Sequence, residues 1–197
     1  MKKLIVGLSI TLFSTMAHAY VDPSSRNYNN LGNSGSQPTQ RQMEKVINSY
    51  LDESLAKIKN DTEFLEKKCG AGFTDEKTRD VFNQCYKEQE PQLKSDTFKA
   101  STNLTLAFAK SNEENKENIK SDFLKVYEDE IRNLKDILVK AGIPPEAFMQ
   151  SMNDLFLGVV QDAYQVNYYL AEKTPELQQE IEVYYSSIVD GMNSIVF

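Results

Sequence analysis

Apolar residues recur along this chain at the three- and four-residue spacing of α-helices. The broadest pattern runs from Ala147 to Ala171, AFMQSMNDLFLGVVQDAYQVNYYLA. Met149, Met152, Phe156, Val160, Ala163 and Leu170 share one face. Phe148, Leu155, Val159 and Val166 widen it on one side, and Leu157 and Tyr164 on the other. Only Asp154 and Asp162 carry charge there. A stripe this wide predicts a helix in the middle of a bundle with other helices around it.

The flanking segments supply the rest of such a bundle. Thr39 is a candidate N-cap behind Pro38. Met43, Ile47, Leu51, Leu55, Ile58, Thr62 and Leu65 then align up to Cys69. Gly70 and Gly72 end that helix, and Asn60-Asp61 is its weak point. A second helix is expected after Thr74, with Thr78, Val81, Phe82 and Cys85 inward. Pro91 marks a boundary or kink. Leu93, Phe98, Leu104 and Phe108 predict a looser helix from residue 92 to 110, weakened by Ser101, Thr102, Asn103 and Thr105. Residues 111–118, SNEENKEN, are a loop or the exposed first turns of the next helix. The clearest amphipathic pattern follows, with Ile119, Phe123, Tyr127, Ile131, Leu134, Leu138 and Ala141 on one face. Its outer face pairs Glu128 with Arg132 and Asp136 with Lys140. Gly142, Pro144 and Pro145 stop it. Thr174-Pro175-Glu176 opens a last helix that aligns Leu177, Ile181, Tyr184, Ile188 and Ile195. No segment alternates like a strand. The chain reads as an all-α, antiparallel bundle of five or six helices, a single helical domain over residues 39–197.

The N-terminus has a different pattern. Lys2 and Lys3 precede an apolar run from Leu4 to Phe13, and Ala17-His18-Ala19 fits a small-x-small cleavage site at Ala17 and Ala19. Residues 1–19 resemble a bacterial secretory signal, which implies cleavage and export. The apolar run is too short for a stable membrane anchor. Residues 20–38, YVDPSSRNYNNLGNSGSQP, lack a hydrophobic period and predict a flexible arm.

Loss of residues 1–19 changes the available chemistry. The formal charge of the full chain is −7, and removing Lys2 and Lys3 makes it more acidic. That balance disfavours nucleic acid and anionic membrane surfaces. A protein partner of basic or mixed character suits it better. The single histidine, His18, leaves with the signal. Triads and dyads built on histidine are then excluded, and no cofactor-binding glycine loop or metal motif is present. Cys69 and Cys85 remain and are expected to form a disulfide. A helix starting at Thr74 would carry Cys85 about 16 Å from the turn, yet a disulfide needs Cα atoms within about 7 Å. Either the second helix starts later, near Asp75–Thr78 behind a folded-back loop, or the first continues past the glycines. The folded-back loop is preferred, because Gly70-Ala71-Gly72 is poor helix.

Three sets of residues remain as functional candidates. Glu130, Asp154 and Asp162 could form paired carboxylates, although acidic residues on amphipathic helices mostly face water. Asn167 falls on the inner face of the broad helix, between Ala163 and Leu170, and is expected to fix helix register, with contact to a ligand as the alternative. Tyr164, Tyr168, Tyr169 and Tyr185 could form a partner surface, while Tyr184 is expected inside. The leading expectation is an exported, non-enzymatic protein-binding module of the bacterial envelope. It would be an inhibitor or immunity-type protein, or an accessory of a secretion or surface assembly. The alternatives are a carrier or chaperone with a pocket lined by Met149, Met152 and Met192, and a carboxylate-based cell-wall hydrolase.

Overall fold

The computed structural model describes residues 39–195. The signal with Ala17 and Ala19, and the arm at 20–38, lie outside the described residues. Within them the chain forms six α-helices and two short 3₁₀ segments, with no strand. No helix among the described residues is long and apolar enough to cross a membrane.

Helix α1 spans Gln40–Cys69 and opens with a reciprocal capping box between Thr39 and Gln42. It passes through Asn60-Asp61 without a break, because Asp61 is bonded rather than strained. Asp61 is buried, and its carboxylate accepts the backbone N–H groups of Lys94 (3.1 and 2.9 Å) and Ser95 (2.7 Å). The predicted weak point is therefore the peg that positions the start of the helix opening at Asp96.

Gly70 and Gly72 both have positive φ, +86° and +118°, a region that side-chain-bearing residues rarely adopt. They turn the chain outward from the end of α1. Phe73 buries itself against Phe82, with ring centroids 5.8 Å apart. Helix α2, Glu76–Gln89, starts behind Asp75, which forms a capping box with Thr78. The N-cap is thus Asp75 rather than Thr74, because its carboxylate reaches the Thr78 N–H at 2.8 Å. Helix α2 then returns past the end of α1, and the Cys69–Cys85 disulfide closes with Cα atoms 5.7 Å apart. The later start and folded-back loop resolve the distance conflict. Such a bond belongs to a chain that folds outside the reducing cytoplasm.

A 3₁₀ turn at Glu90–Gln92, with Pro91 in its first turn, leads to α3, Asp96–Thr105. After a tight turn and a second 3₁₀ segment at Lys110–Asn115 come α4 (Lys116–Lys140), α5 (Glu146–Leu170) and α6 (Pro175–Ser194). The short Ala171–Thr174 link makes α5 and α6 an antiparallel hairpin.

The enclosed helix is α3, and α5 is not. Helix α3 packs against α1, α4 and α5. Thr97, Phe98, Ala100, Ser101, Thr102 and Leu104 are buried, and so is the following stretch Leu106–Ala109. Its small hydroxylated residues let neighbours approach closely without unpaired polar groups. The Ser101 hydroxyl donates to the Thr97 carbonyl at 2.7 Å, and that of Thr105 to the Ser101 carbonyl at 2.9 Å. Helix α5 buries Met152, Phe156, Val159, Val160, Ala163 and Asn167 against α3, α4 and α6. Its back, with Gln150, Asp154, Gln161, Gln165 and Tyr169, meets solvent. The wide apolar stripe reflects contact with three helices, not enclosure by a ring of them.

The larger core joins α3–α6 to the first half of α1, with Phe123, Tyr127 and Phe156 stacked edge to face. The smaller core joins the second half of α1 to α2 and the start of α3 through Ile58, Leu65, Phe82, Tyr86 and Phe98.

Candidate functional site

The most constrained polar group in the fold is Asn167, which has no exposed surface. Its amide nitrogen lies 3.0 Å from the Thr105 carbonyl, 2.9 Å from the Ala163 carbonyl and 2.8 Å from the Tyr185 hydroxyl, and its two N–H groups are shared among these three acceptors. The Tyr185 hydroxyl in turn donates a hydrogen bond to the Leu104 carbonyl at 2.8 Å. The Asn167 carbonyl oxygen accepts from Arg79 at 3.3 Å. One side chain on α5 therefore ties together α2, the end of α3 and α6. Two of the C-terminal carbonyls of α3, those of Leu104 and Thr105, thereby gain partners from outside the helix.

Arg79 carries no pattern in the sequence that announces it. It is buried, its Nε has no hydrogen-bond partner, and no carboxylate pairs with it among the described residues. Burial lowers its pKa, while the nearby charges of Asp80 and Glu76 act the other way. Burial also raises the Tyr185 pKa well above the ordinary phenol value, with Tyr184 contributing. This constellation is a structural node. Its hydrogen bonds all run to other parts of the fold, and the Arg79 Nε is left without one.

The three candidate carboxylates occupy separate surroundings. Glu130 on α4 accepts from the Tyr50 hydroxyl of α1 and from the Thr97 hydroxyl of α3 at 3.2 Å. Burial, followed by the Glu130 contact, pushes the Tyr50 pKa upward. Asp154 is exposed and accepts from Gln150 at 2.8 Å. Asp162 is half-buried with one oxygen unpartnered, and burial raises its pKa. None of the three lines the hollow beside Met149 and Met192, the groove between α5 and α6, or the hollow between the start of α1 and the end of α4.

The methionines also separate. Met152 and Met192 are both buried in the core and Met149 is half-buried; Met149 and Met192 border an open hollow of about 390 Å³ with Tyr127, Ile131 and Asn153.

The tyrosines divide in a way the pattern does not predict. Tyr169 is 57% exposed. Tyr164 and Tyr168 are half-buried with ring centroids 5.3 Å apart. Tyr185, expected at the surface beside buried Tyr184, is itself only 3% exposed. The reason is that α6 is covered on two adjoining sides, by α4 and by α5. Tyr184 and Tyr185 therefore both point inward and stack edge to face at 5.2 Å.

Between α5 and α6 lies an open groove of about 590 Å³. Leu157, Val160, Tyr164, Tyr185 and Val189 form its floor, and Gln161, Glu182, Ser186 and Asp190 form its rim. Partial desolvation and the negative field of Glu182 raise the Tyr164 pKa. Glu182 and Asp190 are exposed and join no ion pair among the described residues.

A signal for this face is present in the sequence. From Glu146 to Asp190 the acidic residues are Glu146, Asp154, Asp162, Glu172, Glu176, Glu180, Glu182 and Asp190, and the only basic one is Lys173. The acidic excess of the chain is concentrated in the α5–α6 hairpin. Comparison with protein-family models, with curated proteins and with solved structures finds no match for this chain.

Proposed function

We propose that this chain is an exported, non-enzymatic binding protein of the bacterial envelope that engages a basic protein partner through the α5–α6 face. The observation that carries the proposal is the groove between those helices, with its apolar floor and unpaired acidic rim. Apolar area supplies binding free energy. Unpaired carboxylates around it select and steer cationic partners. Export is supported by the signal-like residues 1–19 and the disulfide. The arrangement suits a protein that acts by occupying its partner, as an inhibitor or immunity-type protein does. It equally suits an accessory of a secretion or surface assembly, and the partner's identity separates the two.

Affinity capture from envelope extracts tests the reading. The tagged protein should retain a basic protein that the Glu182→Lys/Asp190→Lys variant releases. A control with the same charge change on exposed residues elsewhere, Asp52→Lys/Asp122→Lys, should retain it. Equal capture by both variants would remove the α5–α6 face as the binding surface.

A further inference from the structure

The groove restricts the shape of its occupant as well as its charge. We infer that it takes a cationic amphipathic helix of the partner, laid along the α5–α6 hairpin as a third helix; the inference rests on the acidic binding face proposed above.

The first argument is hydrogen bonding. The walls of the groove are the middles of two α-helices, whose backbone groups are already paired. An extended peptide gains affinity by adding to a sheet edge, and these walls offer none. A helix satisfies its own backbone and needs only side-chain contacts.

The second argument is length. Leu157 to Tyr164 covers about 10 Å along α5, and Glu182 to Asp190 about 12 Å along α6. Apolar side chains at i, i+4 and i+7 of a docked helix span about 10 Å. Three such anchors would meet Leu157, Val160, Tyr164 and Val189 on the floor.

The third argument is the placement of charge. Glu182 lies beside Tyr164 and Asp190 beside Val189, so carboxylates stand toward both ends of the floor. Asp154 is exposed one turn before Leu157 on α5. Lysine or arginine flanking the apolar stripe at both ends would meet them. A neutral or acidic helix of the same shape would leave these carboxylates unpaired and partly desolvated.

The chain contains no tryptophan, so a single tryptophan in a peptide reports binding without background. Three synthetic peptides rich in leucine and lysine, the first two of identical composition, are titrated into the full chain. The first has an amphipathic helical order. The second is scrambled to spread leucine around the helix. The third has the first order with one central residue replaced by proline. The helical peptide should bind at least about tenfold tighter than the other two and gain helicity on binding. Its binding should fall by at least about tenfold with Glu182→Lys/Asp190→Lys. It should fall similarly with Ser186→Phe, a neutral obstruction at an exposed rim position that leaves the core untouched.

Equal binding of all three peptides overturns the helix inference and leaves the acidic face standing, because only charge is then being read. Unchanged binding in the Ser186→Phe variant overturns the groove as the location. No binding of any peptide, with envelope capture still sensitive to Glu182 and Asp190, overturns the helical occupant alone. No binding together with insensitive capture overturns both.

Discussion

Asn167 provides the sharpest test of how the fold is held together. Replacing it with alanine removes a donor and an acceptor at once. The Ala163 carbonyl keeps its helical hydrogen bond within α5, and the Tyr185 hydroxyl keeps its acceptor, the Leu104 carbonyl. Two groups are stranded. The Thr105 carbonyl loses the partner at 3.0 Å, and the Arg79 guanidinium loses its acceptor at 3.3 Å when its Nε already has none. A stranded buried neutral group costs about 1–3 kcal/mol and a charged one more. The expected loss is about 3–5 kcal/mol, a large share of the 5–15 kcal/mol typical of a folded domain. With a urea slope of about 2 kcal/mol per molar, the unfolding midpoint should fall by about 2 M. Circular dichroism of urea unfolding, with the disulfide intact, measures this.

Two further variants separate hydrogen bonding from packing. Asn167→Leu refills the volume but strands the same groups, so it should remain nearly as unstable as Asn167→Ala. Arg79→Met in the Asn167→Ala background removes the stranded cation, so it should recover stability although it destabilises the wild type. The reasoning is refuted if Asn167→Leu matches the wild type, or if the Arg79 and Asn167 effects simply add.

Other perturbations follow from single features. Cys69→Ala/Cys85→Ala opens a bridge with a sequence separation of 16 and should cost about 3 kcal/mol, read as a Tm drop of about 6–12 °C for a chain of this size. Asp61→Ala strips the acceptor from the Lys94 and Ser95 amides and should cost about 2 kcal/mol; hydrogen exchange at those two amides should accelerate more than elsewhere. Asp162 has a folded-state pKa above its ordinary 3.8 because burial disfavours its charged form. The protonated carboxyl is thus favoured on folding, and that stability is lost as pH rises from 3.8 through the folded value. Asp162→Asn should therefore stabilise the protein at pH 7, with the gain closing below the ordinary aspartate pKa; a Tm difference independent of pH would contradict this.

Where hydrophobic period and burial coincide, the sequence reveals the fold directly. Helix α4 buries Ile119, Phe123, Tyr127, Ile131, Leu134 and Leu138, the face its period marks. The Cys69–Cys85 pair follows from cysteine number and compartment. The period fails where polar residues are interior. In α3 the serine and threonine hydroxyls bond back to carbonyls one turn earlier, so residues that look like a solvent face line the most enclosed helix. Asp61 and Arg79 are hidden for the same reason, since each is bonded to a group distant in sequence. The candidate site is partly legible: Tyr164 lines the groove and Tyr168 stacks against Tyr164, while Tyr169 is exposed on α5 and does not line it. Tyr185 belongs to the groove floor but is buried rather than exposed, because one helix period cannot show that α6 is covered from two directions. The concentration of acid in α5 and α6 is visible in the sequence only when charge is counted by element.

That concentration makes sense in relation to the polar node. Ion pairs among the described residues lie within α1, α3 and α4, apart from Lys116–Glu180, which ties α4 to α6. The rest of the hairpin's acid is left unneutralised, and its self-repulsion opposes folding. The hairpin is held from its inner side, through Asn167 to Thr105 and Arg79 and through Tyr185 to Leu104. The outer face can therefore stay acidic without the helices separating. Salt then acts with opposite signs on two measurements. Screening relieves repulsion within the free hairpin, so added salt should raise its Tm modestly. The same screening weakens attraction to a cationic partner, so added salt should loosen binding. A structural role for the acidic face would move only the first of these. A binding role moves both, and Glu182→Lys/Asp190→Lys should flatten both slopes together.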